Sequence, residues 1–424
     1  MANHLHYWCG AWLRAGDSPW VLRGITVAMP RMSHLNNHWR QEVPELPRGR
    51  GVQVMLGLVK AVTCRKRTTM RNSRTILMCV IMAVGCILAT SAGRAVAGNN
   101  PVDEQWWPSE FGADDQAGAV KYITPEKRLA AVQLVKKGKT ATLGMPYYNG
   151  MPLVPGRTFA LSIPGGGTPT HGPLSWPGGE HYAQTFMDEM VTAEIGQVGT
   201  QWDGLAHPMI RIQGVEGWKD GNYFYNKVRL EDVGGPRGIK KMGTEHVADI
   251  GFFTRGMLID IAALKGVTRL QKGYAITLAD YQAALKAQGT SDATQGDVVL
   301  LRTGWNSLWK DYTKPPDQQA KDHAEFNSGE PGASPELCDY LAGRKIAMIG
   351  SDTWGLEAMD PSKPPPEAFG YCHMNLIVRR GISNFENLDL DVLSQEKVYE
   401  FLFTWSPLKL VGATGSPGNP IAAW

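Results

Sequence analysis

Three short apolar runs alternate with three capped helix signals, and this alternation restricts the fold of the chain more than any other feature. The runs have the length and composition of buried strands and cover residues 257–261, 297–302 and 345–349. Each predicted helix begins after a threonine or serine cap and ends before a glycine, over residues 126–137, 278–288 and 336–342. This mixture predicts an α/β fold with a central sheet flanked by helices.

Residues 98–424 are expected to form one domain, because they contain no repeat, charge block or low-complexity linker that would mark a boundary. Within them, the turn-rich stretch 144–180 is too long for a simple connection in a compact domain. We interpret it as a rim or lid of a functional site, with a solvated insertion as the alternative. His171 and His181, in and next to this stretch, are interpreted as rim residues rather than ligands.

The segment 70–97 has the order of a secretory signal peptide. Arg71 and Arg74 precede the apolar run 76–89, and Ala95-Val96-Ala97 follows it as a small-residue cleavage site. We expect cleavage after this site and export to the periplasm or the exterior.

Two alternatives concern the same segment. An uncleaved apolar run over 76–92 would anchor the chain in a membrane, whereas a lipoprotein site at Cys86 is disfavoured because Ala83 stands where leucine is preferred. Since a signal peptide lies at the N-terminus, we expect Met70 to be the true start and residues 1–69 to be an extension assigned in error.

Charge is divided unevenly along the chain. Residues 1–97 contain 13 of the 43 lysines and arginines but only Asp17, Glu42 and Glu45 of the 40 acids, so they carry +10 and residues 98–424 carry −7. An acidic body argues against a phosphate-binding surface. We therefore expect no nucleic-acid partner and, once the signal is cleaved, no stable membrane partner.

Four of the six cysteines lie in residues 1–97, which leaves Cys338 and Cys372. These two can form one disulfide in an oxidising compartment, although sequence alone does not establish that they meet. The sequence has no Cys-x-x-Cys metal pattern.

Polar side chains stand at spacings of four, two and four in the segment 197–207, at Gln197, Gln201, Asp203 and His207. On a strand these positions would share one face and converge on one site, where they can bind a metal or transfer protons. The alternative is a polar strand face or turn with ordinary hydrogen bonds.

A second cluster supports the functional interpretation. His373 is followed by an apolar run over 376–378 and then by Glu386, so an imidazole and a carboxylate bracket a predicted buried strand and turn. A buried acid needs a partner, and a cation supplies one. The alternative is a salt bridge from Glu386 to Arg379 or Arg380.

These residues resemble the metal-dependent cyclase family, which includes bacterial kynurenine formamidase and isatin hydrolase. The family signature, His-x-Gly-Thr-His-x-Asp-x-x-x-His, is matched at every spacing by residues 197–207, with glutamine in place of the first two histidines. Further likeness lies in the segments 255–260, 296–305, 350–353, 373–388 and 415–417, so the resemblance spans residues 140–424.

The resemblance implies a fold and a set of roles. The fold is a single domain with a mixed sheet, of the swivelling β/β/α kind. By position, Asp203, His373 and Glu386 are implied to be metal ligands, and Gln197 and Gln201 stand where ligands usually are. His207 is implied to be the general acid/base.

The two glutamines alter the metal chemistry that the resemblance implies. Imidazole suits zinc, whereas a neutral amide oxygen is a weaker and harder donor that suits Mn²⁺, Mg²⁺ or Ca²⁺. The site holds one hard metal, or keeps only the second of two family metals, or has lost metal. We favour one divalent ion, Mn or Zn, because Asp203, Glu386, His207 and His373 are all present.

The predicted function is metal-dependent hydrolysis of the C–N bond of a small aryl amide, or of a cyclic amide or ester, in the manner of an arylformamidase. The reaction would use a metal-activated water with His207 as general acid/base. Trp202 is the first candidate for contact with a flat substrate, and Trp176 and Trp354 are further candidates for an aromatic wall, with core positions as the alternative.

The competing hypothesis is a degenerate, non-catalytic protein of the same fold that binds a small ligand in the former active site. In both cases the partner is a small molecule. The resemblance also implies a homodimer or a larger homo-oligomer.

Overall fold

A nine-stranded mixed β-sheet is the central element of the protein in the computed structural model. The structure describes residues 104–163, 176–179, 181–184, 188–362 and 370–424. All of them belong to the compact unit Ala92–Trp424. The predicted signal peptide, the predicted extension 1–69 and His171 lie outside the described residues.

The strands are short, and they are numbered here in chain order. They are β1 (Thr140–Thr142), β2 (Phe159–Ser162), β3 (Trp176–Gly179), β4 (Tyr182–Gln184), β5 (Met190–Ala193), β6 (Gln201–Asp203), β7 (Ile210–Ile212), β8 (Gly221–Tyr223), β9 (Phe252–Asp260), β10 (Ala275–Ile276), β11 (Val298–Arg302), β12 (Gly332–Ala333), β13 (Met348–Ser351), β14 (Ser383–Glu386), β15 (Glu400–Trp405), β16 (Gly415–Pro417) and β17 (Ile421–Ala423).

The large sheet has a parallel centre and antiparallel margins. Its strand order is β1-β17-β15-β9-β11-β13-β14-β6-β16. β9, β11, β13 and β14 run parallel to one another, whereas β15 on one side and β6 on the other pair antiparallel with them. The other described strands form the two-stranded pairs β2–β5, β3–β4, β7–β8 and β10–β12.

Helices connect the strands. The α-helices are α1 (Pro125–Val132), α2 (Leu230–Val233), α3 (Thr244–Ala248), α4 (Ile261–Leu264), α5 (Leu278–Gln288), α6 (Pro316–Phe326), α7 (Pro335–Gly343) and α8 (Asp391–Gln395). Short 3₁₀ segments cover Gly118–Tyr122, Tyr225–Lys227 and Trp305–Leu308, and a π-helix covers His373–Val378.

The three predicted helices are confirmed as α1, α5 and α7. The side chain of Thr277 accepts from the backbone of Asp280 at the start of α5, and Gly289 ends that helix in a left-handed conformation with φ 67°. α1 is shorter than predicted. It ends at Val132 because the following backbone turns to the chain terminus, where the N–H of Lys137 donates to the carbonyl of Trp424 at 3.0 Å.

The three predicted strands are confirmed as β9, β11 and β13, in the parallel centre of the sheet. Both faces of these strands are covered, which explains why they read as continuous apolar runs. On one face, Ile259 and Leu301 belong to a cluster that includes residues of α5 and α7. On the other face, Leu258, Leu300 and Phe385 belong to a second cluster.

The predicted strand after His373 is wrong, because these residues form the π-helix. Leu376, Ile377 and Val378 are all fully buried and join three different hydrophobic clusters, so the segment is apolar on every side. A short apolar run of this kind does not distinguish a strand from a buried helix.

Cys338 of α7 and Cys372 form a disulfide, with their Cα atoms 5.7 Å apart. Both residues are buried. The disulfide settles the pairing that the sequence left open, and it ties α7 to the residue that precedes His373.

No described helix, within 104–163, 188–362 or 370–424, has the length and apolar character needed to cross a bilayer.

Candidate metal centre

Two neighbouring strands, β6 and β14, form the floor of the candidate site. In their antiparallel register Asp203 lies opposite Asn384, and Gln201 lies opposite Glu386. Because side chains alternate along a strand, these four side chains share one face of the sheet. All four are buried, so the floor of the site is a polar surface inside the protein.

The third element of the site is the π-helix, which begins at His373. His373 Nε2 lies 3.6 Å from Asp203 Oδ2 and 3.4 Å from Glu386 Oε1. One ligand atom of each of these three residues lies within 4.8 Å of the others, an arrangement that can hold a metal ion. The fold therefore brings together the three residues that were predicted as ligands.

The two glutamines face the carboxylates with their amide nitrogens. Gln201 Nε2 donates to Glu386 Oε2 at 2.6 Å, and Gln197 Nε2 donates to Asp203 Oδ1 at 3.0 Å. Only Gln201 lies on β6, and Gln197 is held beside it by the turn that precedes the strand. The glutamines thus orient the two carboxylates by hydrogen bonds, while Gln197 Oε1 is left over as an acceptor.

Buried oxygens without a donor show that the site fits a cation. Among the described residues, Asp203 Oδ2, Gln197 Oε1 and Asn384 Oδ1 are buried and have no hydrogen-bond partner. A buried acceptor without a partner is costly unless a cation satisfies it. With one imidazole and two carboxylates beside them, these atoms form a donor set suited to Mn²⁺ or Zn²⁺.

Glu357 orients the imidazole of His373. Its Oε1 accepts from the backbone N–H of His373 at 2.9 Å and lies 2.8 Å from Nδ1. A proton on Nδ1 leaves Nε2 with its lone pair toward Asp203 and Glu386, as in the carboxylate–histidine–metal arrangement. Glu357 was not predicted from the sequence, since no spacing or periodic pattern relates it to His373.

The charges of the cluster are poorly balanced without a cation. Burial, and then repulsion from Asp203, raise the pKa of Glu386 to about 7. Burial and the nearby Glu386 hold the pKa of Glu330 well above its usual value. Burial opposes protonation of His373, but the nearby carboxylates of Asp203, Glu357 and Glu386 raise its pKa well above the ordinary one.

His207 follows β6 and lies at the accessible side of the cluster. Its Nε2 is 3.6 Å from Asp203 Oδ2, and 27% of its side chain is exposed. Burial is the main cause that lowers its pKa; attraction by Asp203 opposes the shift, and repulsion from His373 adds to it. His207 is therefore a neutral imidazole near neutral pH, able to accept a proton.

The Gly-Thr pair inside the motif has a structural task. Gly199 has φ 69°, and a Cβ there would lie 2.2 Å from the ring of Tyr147, so only glycine fits. Thr200 Oγ1 donates to the carbonyl of Asn387 at 2.6 Å, which fastens the start of β6 to the end of β14. The pair sets the position from which Gln201 and Asp203 reach the site.

The prediction that Trp202 contacts the substrate is not supported. Trp202 alternates with Gln201 and Asp203, so its ring lies on the opposite face of β6, where it is 1% exposed and packs against Trp405. Its Nε1 donates to Ser383 Oγ at 2.8 Å. The side chain of Trp176 is outside the described part of the chain.

A small cavity with apolar walls adjoins the two glutamines. Its walls include Leu153, Val154, Val198, Trp309, Phe326 and Trp354. Leu153 and Val154 come from the stretch 144–180, so this part of the stretch forms a rim of the site. Residues 164–175 and 180 of the stretch are outside the described residues, and His181 is exposed.

The alternative salt bridge of Glu386 is wrong. Arg379 pairs with Glu104, and Arg380 donates to Asn375. Both arginines come directly after the π-helix. Asn384, which the sequence analysis missed, instead donates to Glu386 Oε1 at 3.0 Å.

Comparison with known proteins identifies similar chains. The family model "Putative cyclase" matches residues 141–358. A solved structure described as a novel cyclase is 30% identical, covers 74% of this chain and 98% of its own, and has a TM-score of 0.59. Isatin hydrolase A from Labrenzia aggregata, bound to benzyl benzoate, is 18% identical, covers 70% of this chain and 98% of its own, and has a TM-score of 0.45.

A structure from Bacillus stearothermophilus, described as a "predicted metal-dependent hydrolase", is 20% identical, with 68% of this chain and 98% of its own covered and a TM-score of 0.37. The comparison with curated proteins found no match.

Proposed function

The chain belongs to the cyclase family, and from this premise we propose that it is a metal-dependent hydrolase of the C–N bond in a small aryl amide or cyclic amide. One observation carries the proposal. Asp203, His373 and Glu386 converge within 4.8 Å, and the buried Asp203 Oδ2 between the two histidines has no hydrogen-bond donor among the described residues.

Asp203, His373 and Glu386 would hold the metal, Mn²⁺ or Zn²⁺, with Gln197 Oε1 as a further oxygen. A divalent cation in such a site polarises a carbonyl oxygen and lowers the pKa of a water molecule. Gln201 has a different role, because its amide nitrogen donates to Glu386 Oε2 and keeps that carboxylate in place.

His207 would carry the proton transfers. It is neutral near neutral pH, partly exposed, and close to Asp203 Oδ2. Its Nε2 takes a proton from the attacking water and returns it to the leaving amine nitrogen, so one side chain acts first as base and then as acid. Asp203 stabilises the imidazolium between these steps, because its carboxylate lies 3.6 Å from the ring.

Export is part of the proposal. The disulfide between Cys338 and Cys372 is typical of an oxidising compartment. Together with the signal-like segment 70–97 it supports a periplasmic or secreted enzyme that acts on an external aromatic compound. A homo-oligomer, as the family resemblance implies, completes the proposal.

The second candidate is a small-ligand-binding protein that has lost metal. It is favoured by the two glutamine nitrogens, which occupy carboxylate oxygens that a metal would otherwise share. Metal content separates the two candidates.

The test is metal analysis of the protein purified after growth with Mn and Zn, followed by hydrolysis assays on N-formylanilines and bicyclic lactams before and after chelation. We expect about one equivalent of metal and turnover that chelation abolishes and metal restores. Less than about half an equivalent of any divalent metal, without turnover, would support the binding protein instead.

A further inference from the structure

Two residues that line the cavity beside Gln197 and Gln201 each carry an unsatisfied polar atom. The indole Nε1 of Trp354 is a donor and the amide Oδ1 of Asn387 is an acceptor. Both atoms are buried and have no hydrogen-bond partner in the part of the chain that the structure describes. Native proteins leave few buried polar atoms unpaired, so each unpaired atom indicates a bound group that satisfies it.

Asn387 has little freedom to turn its oxygen elsewhere. Its Nδ2 donates to the carbonyl of Gly199 at 2.9 Å, and its backbone N–H donates to the carbonyl of Thr353 at 2.8 Å. Its backbone has φ 54°, a left-handed conformation that asparagine tolerates better than most residues. The residue thus holds Oδ1 as a fixed acceptor just after β14.

Trp354 is fixed in a similar way. Its backbone N–H donates to Glu330 Oε2 at 2.7 Å, and its ring packs on the hydrophobic cluster that includes Trp305 and Trp309. Those two indoles are satisfied, since Trp305 donates to Phe326 and Trp309 donates to Pro146. Within this cluster, therefore, Trp354 differs from its neighbouring tryptophans in having a free N–H.

We propose that Trp354 and Asn387 recognise the amide group of the substrate, so that the enzyme prefers an amide to the matching ester. The inference rests on the proposed hydrolase function. The indole N–H donates to a carbonyl oxygen of the substrate, and Asn387 Oδ1 accepts from the amide N–H. An ester or lactone has the first group but not the second, so it leaves Asn387 unpaired. Sites that pair a substrate N–H discriminate strongly against analogues without it.

The walls of the cavity suit the rest of such a molecule. Leu153, Val154, Trp309 and Phe326 provide apolar and aromatic surface for a ring. The cavity has a volume of only about 10 Å³, which is the room for a single water. Leu153 and Val154 are only half-buried, and the inference requires these two side chains to move outward so that a ring can enter.

The experiment uses 2-oxindole and 2-coumaranone, a lactam and a lactone of the same shape. They differ only at the ring heteroatom, which is N–H in the lactam and O in the lactone. Their affinities for the Mn²⁺-loaded full chain are measured by calorimetry, and their hydrolysis is followed separately. We expect the lactam to bind about tenfold more tightly than the lactone. Trp354→Phe should weaken both ligands by a similar factor, whereas Asn387→Ala should weaken only the lactam.

Two variants separate recognition from structure. Trp305→Phe removes an indole N–H that is already satisfied by the carbonyl of Phe326, on a ring outside the cavity walls, and should leave the lactam preference unchanged. Asn387→Asp loses the bond to Gly199 but keeps an acceptor oxygen, so it should keep the preference that Asn387→Ala loses.

Equal affinities for the two ligands, no binding of the lactam, or an Asn387→Asp variant that behaves like Asn387→Ala would overturn the inference. A failure of the proposed function would look different, because it would appear as missing metal or missing turnover. A lactam preference in binding supports the inference whether or not the lactam is hydrolysed.

Discussion

The two faces of the β6–β14 strand pair carry residues of opposite kinds. One face presents Trp202 and Phe385, whose rings pack on Trp405 with centroid distances of 5.6 and 4.7 Å. The other face presents Asp203 and Glu386, which are as deeply buried but meet histidines and amides instead of apolar side chains. Alternation along two short strands is enough to produce this difference.

The two faces should therefore contribute to different properties, the apolar face to stability and the polar face to metal binding and turnover. On the apolar face polar atoms are satisfied, as the bond from Trp202 Nε1 to Ser383 shows. On the polar face Asp203 Oδ2 and Asn384 Oδ1 have no partner among the described residues, so this face costs folding free energy unless a cation binds. Changes on one face should therefore alter unfolding, and changes on the other should alter metal binding and turnover.

The largest effect is expected at His207. His207→Ala should lower turnover by about 10²–10⁴-fold, the usual contribution of a general acid/base. Bound metal should remain, since His207 is not one of the three clustered ligand residues. Steady-state kinetics on a substrate found in the metal-dependent assay, together with metal analysis, check both parts.

Two variants serve as references for His207→Ala. Asp203→Ala should lose metal and turnover together, because Asp203 Oδ2 lies between the two imidazoles. His246→Ala removes a histidine that pairs with Glu245 outside the cluster and should change neither quantity. Full activity in His207→Ala would mean that another group moves the proton.

The apolar face should respond in the opposite way. Phe385→Ala removes a fully buried ring and should lower the free energy of unfolding by about 3–5 kcal/mol. The folded fraction should still bind metal. Urea unfolding and metal titration measure the two effects.

A substitution on the protein surface is the control for the unfolding measurement on Phe385→Ala. Val392 of α8 is 42% exposed, and Val392→Ala should change stability by less than about 0.5 kcal/mol. If Phe385→Ala lost metal while keeping its stability, the separation between the two faces would not hold.

The disulfide between Cys338 and Cys372 joins α7 to the residue that precedes His373. Replacing Cys338 and Cys372 by serine opens a crosslink between residues 34 apart in sequence and should lower the free energy of unfolding by about 3–4 kcal/mol. Wild-type protein unfolded in the presence of a reductant should match the variant. Equal stability of the oxidised and reduced wild-type protein would show that the crosslink contributes nothing.

The sequence predicted the features that depend on local chemistry. Capped helices and continuous apolar strands were found because caps and burial leave residue patterns, as at Thr277 before α5. The candidate ligands Asp203, His373 and Glu386 were predicted from polar spacing, from the need of a buried acid for a partner and from the family resemblance. The strand spacing was the weakest of these, since β6 contains only Gln201–Asp203. His207 stays a prediction until it is tested.

Features that depend on distant contacts were not predictable. Trp202 was assigned to the substrate although alternation with Asp203 turns it into the core. The π-helix differs from the predicted strand, because a buried apolar run has no period that would distinguish the two. Glu357 meets His373 only because the fold brings the loop after β13 against the π-helix.

The smallest expected effect concerns this contact between Glu357 and His373. Glu357→Gln keeps an oxygen that can accept from the backbone N–H of His373, but it removes the negative charge beside Nδ1. A less polarised imidazole is a weaker ligand, so metal affinity should fall by about tenfold while the melting temperature of the metal-free protein stays close to wild type. Competition with a chelator of known affinity measures the first quantity, and a thermal melt measures the second.

Glu330→Gln is the matched control for Glu357→Gln. Glu330 is fully buried and accepts from the backbone of Trp354. Burial and the nearby Glu386 keep its pKa well above the usual value, which favours the uncharged carboxyl that the amide of glutamine mimics. Metal affinity should then be unaffected. Equal losses of affinity in Glu330→Gln and Glu357→Gln would mean that packing around the site, rather than the charge on Glu357, controls how strongly His373 binds the metal.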